Sequence, residues 1–452
     1  MKLLVINGSP KGKNSITLQT VLYLQKLFPQ HAFTVLHAGA RVKALEKDFS
    51  EAERLIGEAD VLLFSYPVYT FIAPSQLHRF IRLMKEHAVP VMGKYCTQVT
   101  TSKHFYDVTA HRYVEENMAD LGMKVIHGLS ADMDDLTTEK GRDQARDFFR
   151  YLTWCVDHGY CEPMPAVLPE GPRCPVTVPA GTDEKPGDIV VVTDCAPEDD
   201  QLRAMIDRFR AVSPRKVRVE NLRDFPFKGG CLGCFHCAST GKCIYADGFD
   251  TFLRETVQRS EAIVYAFRIQ DHSMGPLFKM YDDRQFCNGH RTVTMGAPQG
   301  YLVCGDYARE ANLRMIVEGR ANVGGNFLCG VATDESDPDA AIDQLAARLD
   351  WAITHHYTQP QNFLGVGGMR IFRDLIWLMR GLMREDHRFF KAHGQYDFPQ
   401  KQGGRVLLMY LVGAMMRNKS LQKKAGGKMT EGMLAPYTKV LAQAQPWQEE
   451  EP

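Results

Sequence analysis

No stretch of this 452-residue chain is both long and apolar enough to cross a bilayer. The longest apolar run, Val406 to Met416, is interrupted by Gly413 and bounded by Arg405 and Arg417, well short of the roughly 20 residues a spanning helix needs. Net charge is missing too. Fifty-four basic residues balance 54 acidic ones, so no global field draws the chain to nucleic acid or to an acidic membrane, and membrane association is not expected. The opening segment Met1-Lys-Leu-Leu-Val-Ile-Asn-Gly has an apolar run of only four residues, far less than a signal-peptide core, and the expected compartment is the cytoplasm. Neither a Gly-x-Gly-x-x-Gly fingerprint nor a full Walker lysine loop is present, so no separate dinucleotide domain is legible.

Cysteine is present and unevenly spread. In a cytoplasmic chain most of the twelve should be reduced thiols. Eight stand singly, at Cys96, Cys155, Cys161, Cys174, Cys195, Cys287, Cys304 and Cys329, and read as buried filler. The other four, Cys231, Cys234, Cys237 and Cys243, fall within thirteen residues. Two-residue spacing lets a tight loop turn successive sulfurs toward one point, which suits the four thiolates of a 4Fe-4S cluster. Structural zinc also takes four thiolates, but usually as two pairs on separate knuckles, and here there is no second pair. Four unrelated or disulfide-paired cysteines are the bland alternative.

Short apolar runs alternate with helical patterns in the manner that builds a parallel sheet. Strands are expected at residues 2–6, 33–36, 61–65, 95–100 and 124–127, with helices between them and a closing helix at 140–156. This makes a first domain over residues 1–158. Seven prolines between Pro163 and Pro186 mark a linker over 159–187, too rich in proline to continue either pattern. The alternation then restarts over 188–357, with strands expected at 188–193, 216–221, 262–267, 292–296 and 325–331. Each unit suits a five-stranded parallel sheet of order 2-1-3-4-5, and the repetition implies an internal duplication. Residues 358–452 form a basic amphipathic helical extension, in which Phe372, Leu375, Ile376, Leu378, Met379 and Leu382 mix with arginines. Such helices can lie on membranes or partners, but packing on the two domains with the arginines solvated is the expectation.

Directly after the first strand, Asn7-Gly-Ser-Pro-Lys-Gly-Lys-Asn-Ser-Ile-Thr opens the first helix. Glycines let backbone amides approach a phosphate, and the helix N-terminus supplies a favourable dipole. The third strand runs into Ser65-Tyr-Pro-Val-Tyr-Thr-Phe and the fourth into Thr100-Thr-Ser-Lys-His-Phe-Tyr, and in a doubly wound sheet these edges converge on one crevice. In these residues the first domain resembles the flavodoxin-like NADPH-dependent FMN reductases. That resemblance implies FMN, with Ser9, Lys11, Asn14, Ser15 and Ile16 at its phosphate, Pro67, Val68, Tyr69 and Thr70 beside the ring, and Thr101, Ser102, His104 and Tyr106 on the far side. Tyr69 and His104 are the implied catalytic candidates.

The second domain resembles the iron-sulfur flavoproteins, whose compact four-cysteine run matches Cys231, Cys234, Cys237 and Cys243 residue for residue. Met274 to Lys279, with Asp283 and Arg284, resembles that family's helix after the third strand. One departure stands out: Thr193-Asp-Cys-Ala-Pro-Glu-Asp-Asp200 replaces the phosphate loop with four carboxylates and no glycine, which would repel a phosphate. The combined expectation is an oxidoreductase with FMN in domain one and a cluster in domain two, coupling NAD(P)H or a one-electron carrier such as ferredoxin to a small-molecule acceptor. In the family, two subunits pair cluster to flavin; a tandem chain could make that pairing internally or as a homo-oligomer. The rivals are a cluster-free NAD(P)H-dependent FMN or quinone reductase and a non-enzymatic electron-transfer module.

Overall fold

The computed structural model describes residues 1–181, 184–417, 431 and 433–445. Its first sheet is built from β1 (Lys2–Asn7), β2 (Ala32–Leu36), β3 (Val61–Pro67), β4 (Tyr95–Ser102), β5 (Lys124–Val125) and β6 (Leu129–Asp132), all parallel, in the order β2-β1-β3-β4-β5 with β6 also on β4. Around it lie α1 (Ile16–Leu27), α2 (Ala38–Leu45), α3 (Ser50–Glu58), α4 (Ser75–Glu86), α5 (Asp107–Asp120) and α6 (Glu139–His158). The expected fifth strand is thus two pieces. The break falls at Gly128, whose backbone runs so close to Gln98 that a Cβ would lie 2.5 Å from the Gln98 carbonyl oxygen.

The second sheet repeats the plan with β7 (Ile189–Thr193), β8 (Val217–Asn221), β9 (Ala262–Arg268), β10 (Pro298–Cys304) and β11 (Phe327–Thr333), in the order β8-β7-β9-β10-β11. Its helices are α7 (Asp200–Val212), α8 (His236–Thr240), the short α9 (Phe249–Thr251), α10 (Pro276–Arg284), α11 (Ala311–Gly324) and α12 (Pro338–Thr354). Residues 292–296, expected to be the fourth strand, are turn instead; the strand starts at Pro298. Its Pro and Gly read locally as breakers. Proline is tolerated at the first position of a strand, and Gly300 sits at a register shift where a Cβ would meet Leu345 at 2.8 Å.

Alternation along the strands sends successive side chains to opposite faces. Leu3 and Val5 join a core under α1 and α6 with Leu18, Val21 and Phe149, and Ile189 and Val191 join another under α7 and α12 with Phe209 and Leu349. The other faces of both sheets share a third core. It runs from Leu4, Ile6 and Phe64 through Phe80 and Tyr113 to Tyr281, Tyr265 and Tyr301. Helix α4 packs on α10 and α5 on α11, and these are equivalent helices of the two halves, each pair following the third or fourth strand of its sheet. The duplication therefore buries within one chain the surface that two copies would bury in an isologous dimer.

Residues Met1–Phe390 form one compact unit, which includes α13 (Phe363–Leu378) and most of α14 (Arg384–Ala392). Gly365, Gly368 and Ile376 of α13 are buried, as packing on the two domains requires, but Arg373, expected in solvent, is buried with them. Residues from Lys391 onward form a separate unit, in which α15 (Gly403–Met416) exposes Leu407, Met409, Tyr410 and Leu411. Part of the second basic segment of the extension, Asn418 to Lys424, lies outside the described residues. Among the described residues no helix is long and apolar enough to cross a membrane.

Candidate active site

The β1–α1 loop is held from beneath. Buried Asn7 donates from Nδ2 to the Gly12 carbonyl at 2.8 Å, and its Oδ1 accepts from the Ser9 amide at 3.2 Å. Ser9 Oγ accepts from the Lys11 amide, and Ser15 caps α1 by accepting from the Leu18 amide. Ser9 and Ser15 are almost fully buried, while Asn14 is exposed and outside the cavity described below.

After β3 the chain makes a tight hairpin in which Tyr69 and Ile72 exchange backbone hydrogen bonds of 2.8 and 3.1 Å. Thr70 and Phe71 both take positive φ, 43° and 71°, a conformation that non-glycine residues hold only under outside support. The support comes from the other half of the chain. Fully buried Lys279 of α10 donates from Nζ to the Tyr69 carbonyl at 3.0 Å and the Thr70 carbonyl at 3.3 Å, and pairs with Asp283 at 2.5 Å. Asp283 in turn accepts from the Ser75 amide at the start of α4, at 2.7 Å. Thr70 Oγ1 is buried with no protein partner, an orphaned hydroxyl at the place where a ring edge could take its bond.

The end of β4 brings in Thr101 and Ser102, with Thr101 Oγ1 2.6 Å from Thr17 Oγ1. His104 and Tyr106 turn away. His104 pairs with Asp107 at 2.8 Å with half its side chain exposed, and the Tyr106 hydroxyl donates to the Leu364 carbonyl. Neither lines the cavity.

Facing these three loops is the four-cysteine segment of the other domain. Arg284, fully buried, clamps its base by donating to both Asp247 oxygens at 2.9 and 2.8 Å and to the Gly229 carbonyl at 2.9 Å, while stacked between Tyr245 and Phe249. Gln76 donates to the Cys231 carbonyl at 3.2 Å, and Lys43 to the Lys228 carbonyl at 2.6 Å. The fit against the hairpin is tight: a Cβ at Gly233, where φ is +59°, would overlap the Tyr69 hydroxyl. Burial lifts the Tyr69 phenol well above its ordinary range, with the Cys231 thiol beside it as a further cause.

Between the two walls lies one cavity of about 200 Å³, lined on one side by Ser9, Lys11, Ser15, Ile16, Pro67, Val68, Tyr69, Thr70, Thr101 and Ser102, and on the other by Cys231, Cys234, Cys237 and Cys243. The structure thus brings together ten of the thirteen residues assigned to the flavin and all four cysteines. It also adds residues that sequence patterns did not mark. Cys287, a scattered cysteine by sequence, lines the same cavity with its thiol pushed up to about 12 by burial; Phe286 and His290 join it, and α13 contributes Ile371, Phe372 and Leu375.

Four thiols on one loop are soft donors that a metal would take once they had lost their protons. The Gly233 amide donates to Cys231 Sγ at 3.4 Å, and the Cys237 thiol donates to the Phe286 carbonyl at 2.9 Å. Burial raises the Cys231 thiol strongly and the Cys237 thiol to about 11. Among the described residues no three of the four sulfurs lie within 4.8 Å of one another.

The matching edge of the second sheet is occupied. Asp199 caps α7 and takes both ends of Arg268, at 2.6 and 2.8 Å. Asp306 and fully buried Asp334, which follow β10 and β11, take Arg173 from the linker, and the Gly171 amide donates to Asp306. Burial pushes Asp194 up to about 7. Of the carboxylates after β7, Asp199 is thus a helix cap paired with an arginine, and Asp194 is a buried acid.

Residues 1–153 match the model of a family described by its flavodoxin-like fold. The N-terminal third is a flavodoxin-like domain. No curated protein matches the chain. Among solved structures it is similar to general stress protein 14 of Treponema denticola in complex with FMN (16% identity over 34% of this chain and 99% of that one, TM-score 0.29). It is similar also to a flavoenzyme NAD(P)H:(acceptor) oxidoreductase of Paracoccus denitrificans (19%, 34% and 97%, TM-score 0.27) and an NAD(P)H:quinone oxidoreductase of Methanothermobacter marburgensis (12%, 36% and 98%, TM-score 0.29).

Proposed function

We propose that the protein is a flavin-dependent oxidoreductase that binds FMN in the first domain and a 4Fe-4S cluster on Cys231, Cys234, Cys237 and Cys243, and passes electrons between them. One observation carries this reading: the loops of the flavodoxin-like domain and the four cysteines of the other domain line a single cavity. Ser9, Lys11 and Ser15 would hold the phosphate, with backbone amides and the N-terminus of α1 behind them. Pro67 to Thr70 would flank the ring, and the unpartnered Thr70 hydroxyl would meet one of its polar edges. When bound, FMN supplies one- or two-electron chemistry, and a cluster supplies single electrons.

Each domain contributes to the other's wall. Lys279 neutralises the turned carbonyls of the flavin hairpin, and Gln76 fixes the first cysteine of the metal loop. NAD(P)H or a ferredoxin would supply electrons, and a small molecule entering the cavity would receive them.

Protein purified without oxygen should contain about four iron and four sulfide per chain and about one FMN. Cys234→Ser should lose most of the iron and the visible absorbance of the cluster; an unaltered chain that carries FMN but no iron, with turnover unchanged in Cys234→Ser, would replace this reading with that of a cluster-free reductase. Because the thiols must lose protons to bind metal, loading should weaken as pH falls from 8.5 to 6.5.

A further inference from the structure

The extension beyond the second sheet places an acid–imidazole pair at the wall of the flavin–cysteine cavity. His290 lies in the loop after Cys287 and is one of the residues that line the cavity. Nδ1 is 3.0 Å from Oδ2 of Asp386 on α14, and the His290 amide donates to the same oxygen at 3.3 Å. Asp386 is fully buried, and it reaches the loop because Gly289, at φ +62°, has no side chain; a Cβ there would lie 2.2 Å from Oδ1. An ionised carboxylate only accepts, so Nδ1 carries the hydrogen and Nε2 is the free ring nitrogen. Among the described residues the hydrogen bond of the imidazole ring runs through Nδ1. The ring is oriented by edge contacts with Phe286 and with Phe372 of α13. The charged and titratable groups around it are Asp386, Arg291, whose Nε is 3.6 Å from Asp386 Oδ1, Arg254, bonded to the Cys287 carbonyl, and the Cys237 thiol, which Asp386 influences.

We infer that His290, oriented by Asp386, is the proton donor to the acceptor reduced in this cavity, and that the C-terminal extension serves to build this donor. The inference rests on the flavin reading. A two-electron carbonyl acceptor of the quinone class gains one hydride equivalent and one proton. FMN, held by Ser9, Lys11 and Ser15, would supply the hydride equivalent, and Nε2 of the imidazolium would supply the proton. The ring becomes neutral with its Nδ1 hydrogen still donated to Asp386, the acceptor becomes the hydroquinone, and solvent returns the proton to the ring. Asp386 is a positioning residue, because it touches the imidazole and not the acceptor.

The test uses the full chain loaded with FMN and reduced by dithionite, then mixed with p-benzoquinone, which takes protons, or ferricyanide, which takes electrons alone. His290→Gln should slow discharge to benzoquinone by about 100-fold relative to discharge to ferricyanide, the lower end of what a positioned proton donor supplies. Imidazole added to His290→Ala should recover part of the benzoquinone rate. Asp386→Asn should show a smaller selective loss and a shifted pH profile. Independently of any flavin, nitrogen NMR of the full chain should show the His290 ring in the Nδ1–H tautomer, and Asp386→Asn should abolish that preference. Equal effects on the two acceptors, or an Nε2–H tautomer, would overturn the donor role alone. Failure of the chain to bind FMN would overturn the flavin reading and the donor role together.

Discussion

At the carboxyl edge of the first sheet the loops after β1, β3 and β4 surround a cavity, whereas at the same edge of the second the equivalent loops are tied up in ion pairs. Both halves have the same strand order and comparable cores, so the difference comes from a handful of polar residues. In the first half Ser9 and Ser15 stand at a glycine-containing loop on a helix N-terminus, and the aromatic hairpin leaves Thr70 without a partner. In the second, Asp199 has closed on Arg268, and the linker has laid Arg173 across Asp306 and Asp334. One copy of the fold has kept its crevice open; the other has turned its loop region after β8 into the opposite wall of that same crevice. A duplicated chain can afford this, because the shared core between α4, α5, α10 and α11 holds the second half in place whether or not it binds a cofactor of its own.

The comparison can be broken most forcefully at Lys279. Lys279→Met would leave Asp283 buried without its cation, the Thr70 carbonyl without its donor and the Tyr69 carbonyl with the Ile72 amide alone, and should cost about 3–5 kcal/mol of stability, read by denaturant midpoint. FMN affinity should fall with it; an unchanged flavin affinity in the folded variant would separate the hairpin from the site.

Asp194 probes the closed side through pH. Its folded pKa of about 7 lies above the ordinary carboxylate value near ~3.9. The folded state therefore favours the neutral acid, and stability that is complete below about pH 4 is lost as pH climbs through 7. Asp194→Asn should raise stability at pH 8 by on the order of 2–4 kcal/mol and change it little at pH 4; equal thermal midpoints at pH 8 would contradict the buried charge.

Arg173→Ala removes the linker's plug. A loss of about 1–3 kcal/mol is expected, since buried Asp334 loses one of its partners, and FMN should stay near one per chain. Two flavins per chain would show that the second crevice was only covered. The smallest effect belongs to Thr70→Val. It should leave the stability of the flavin-free chain unchanged or slightly higher, because an orphaned hydroxyl is removed, while weakening FMN by about 1 kcal/mol in a fluorescence titration.

Much of the fold was legible because its signals are local. Short apolar runs alternating with helical patterns marked most strands, and proline density marked the linker. The misread fourth strand of the second sheet shows the limit: Pro298 and Gly300 look like breakers until the neighbouring strand and Leu345 supply the reasons they are tolerated. The site divides in the same way. Ser9, Pro67, Tyr69 and the four cysteines carry recognisable spacing, but His104 and Tyr106 sit one turn too far along their loop and bond elsewhere. Phe286, Cys287, His290 and Phe372 have no motif, since each is brought in by packing from a distant part of the chain.

By itself the sequence determined the two parallel sheets, the phosphate-type loop on the first and the run of thiols on the second, because those follow from side-chain period, backbone freedom at glycine and the spacing of like ligands. Only the tertiary structure decided that the thiols face Tyr69, that Lys279 holds the hairpin, and that an arginine from the linker occupies the second crevice. Those contacts join residues up to about two hundred positions apart, and they exist because equivalent helices of two similar domains bury their apolar faces against each other.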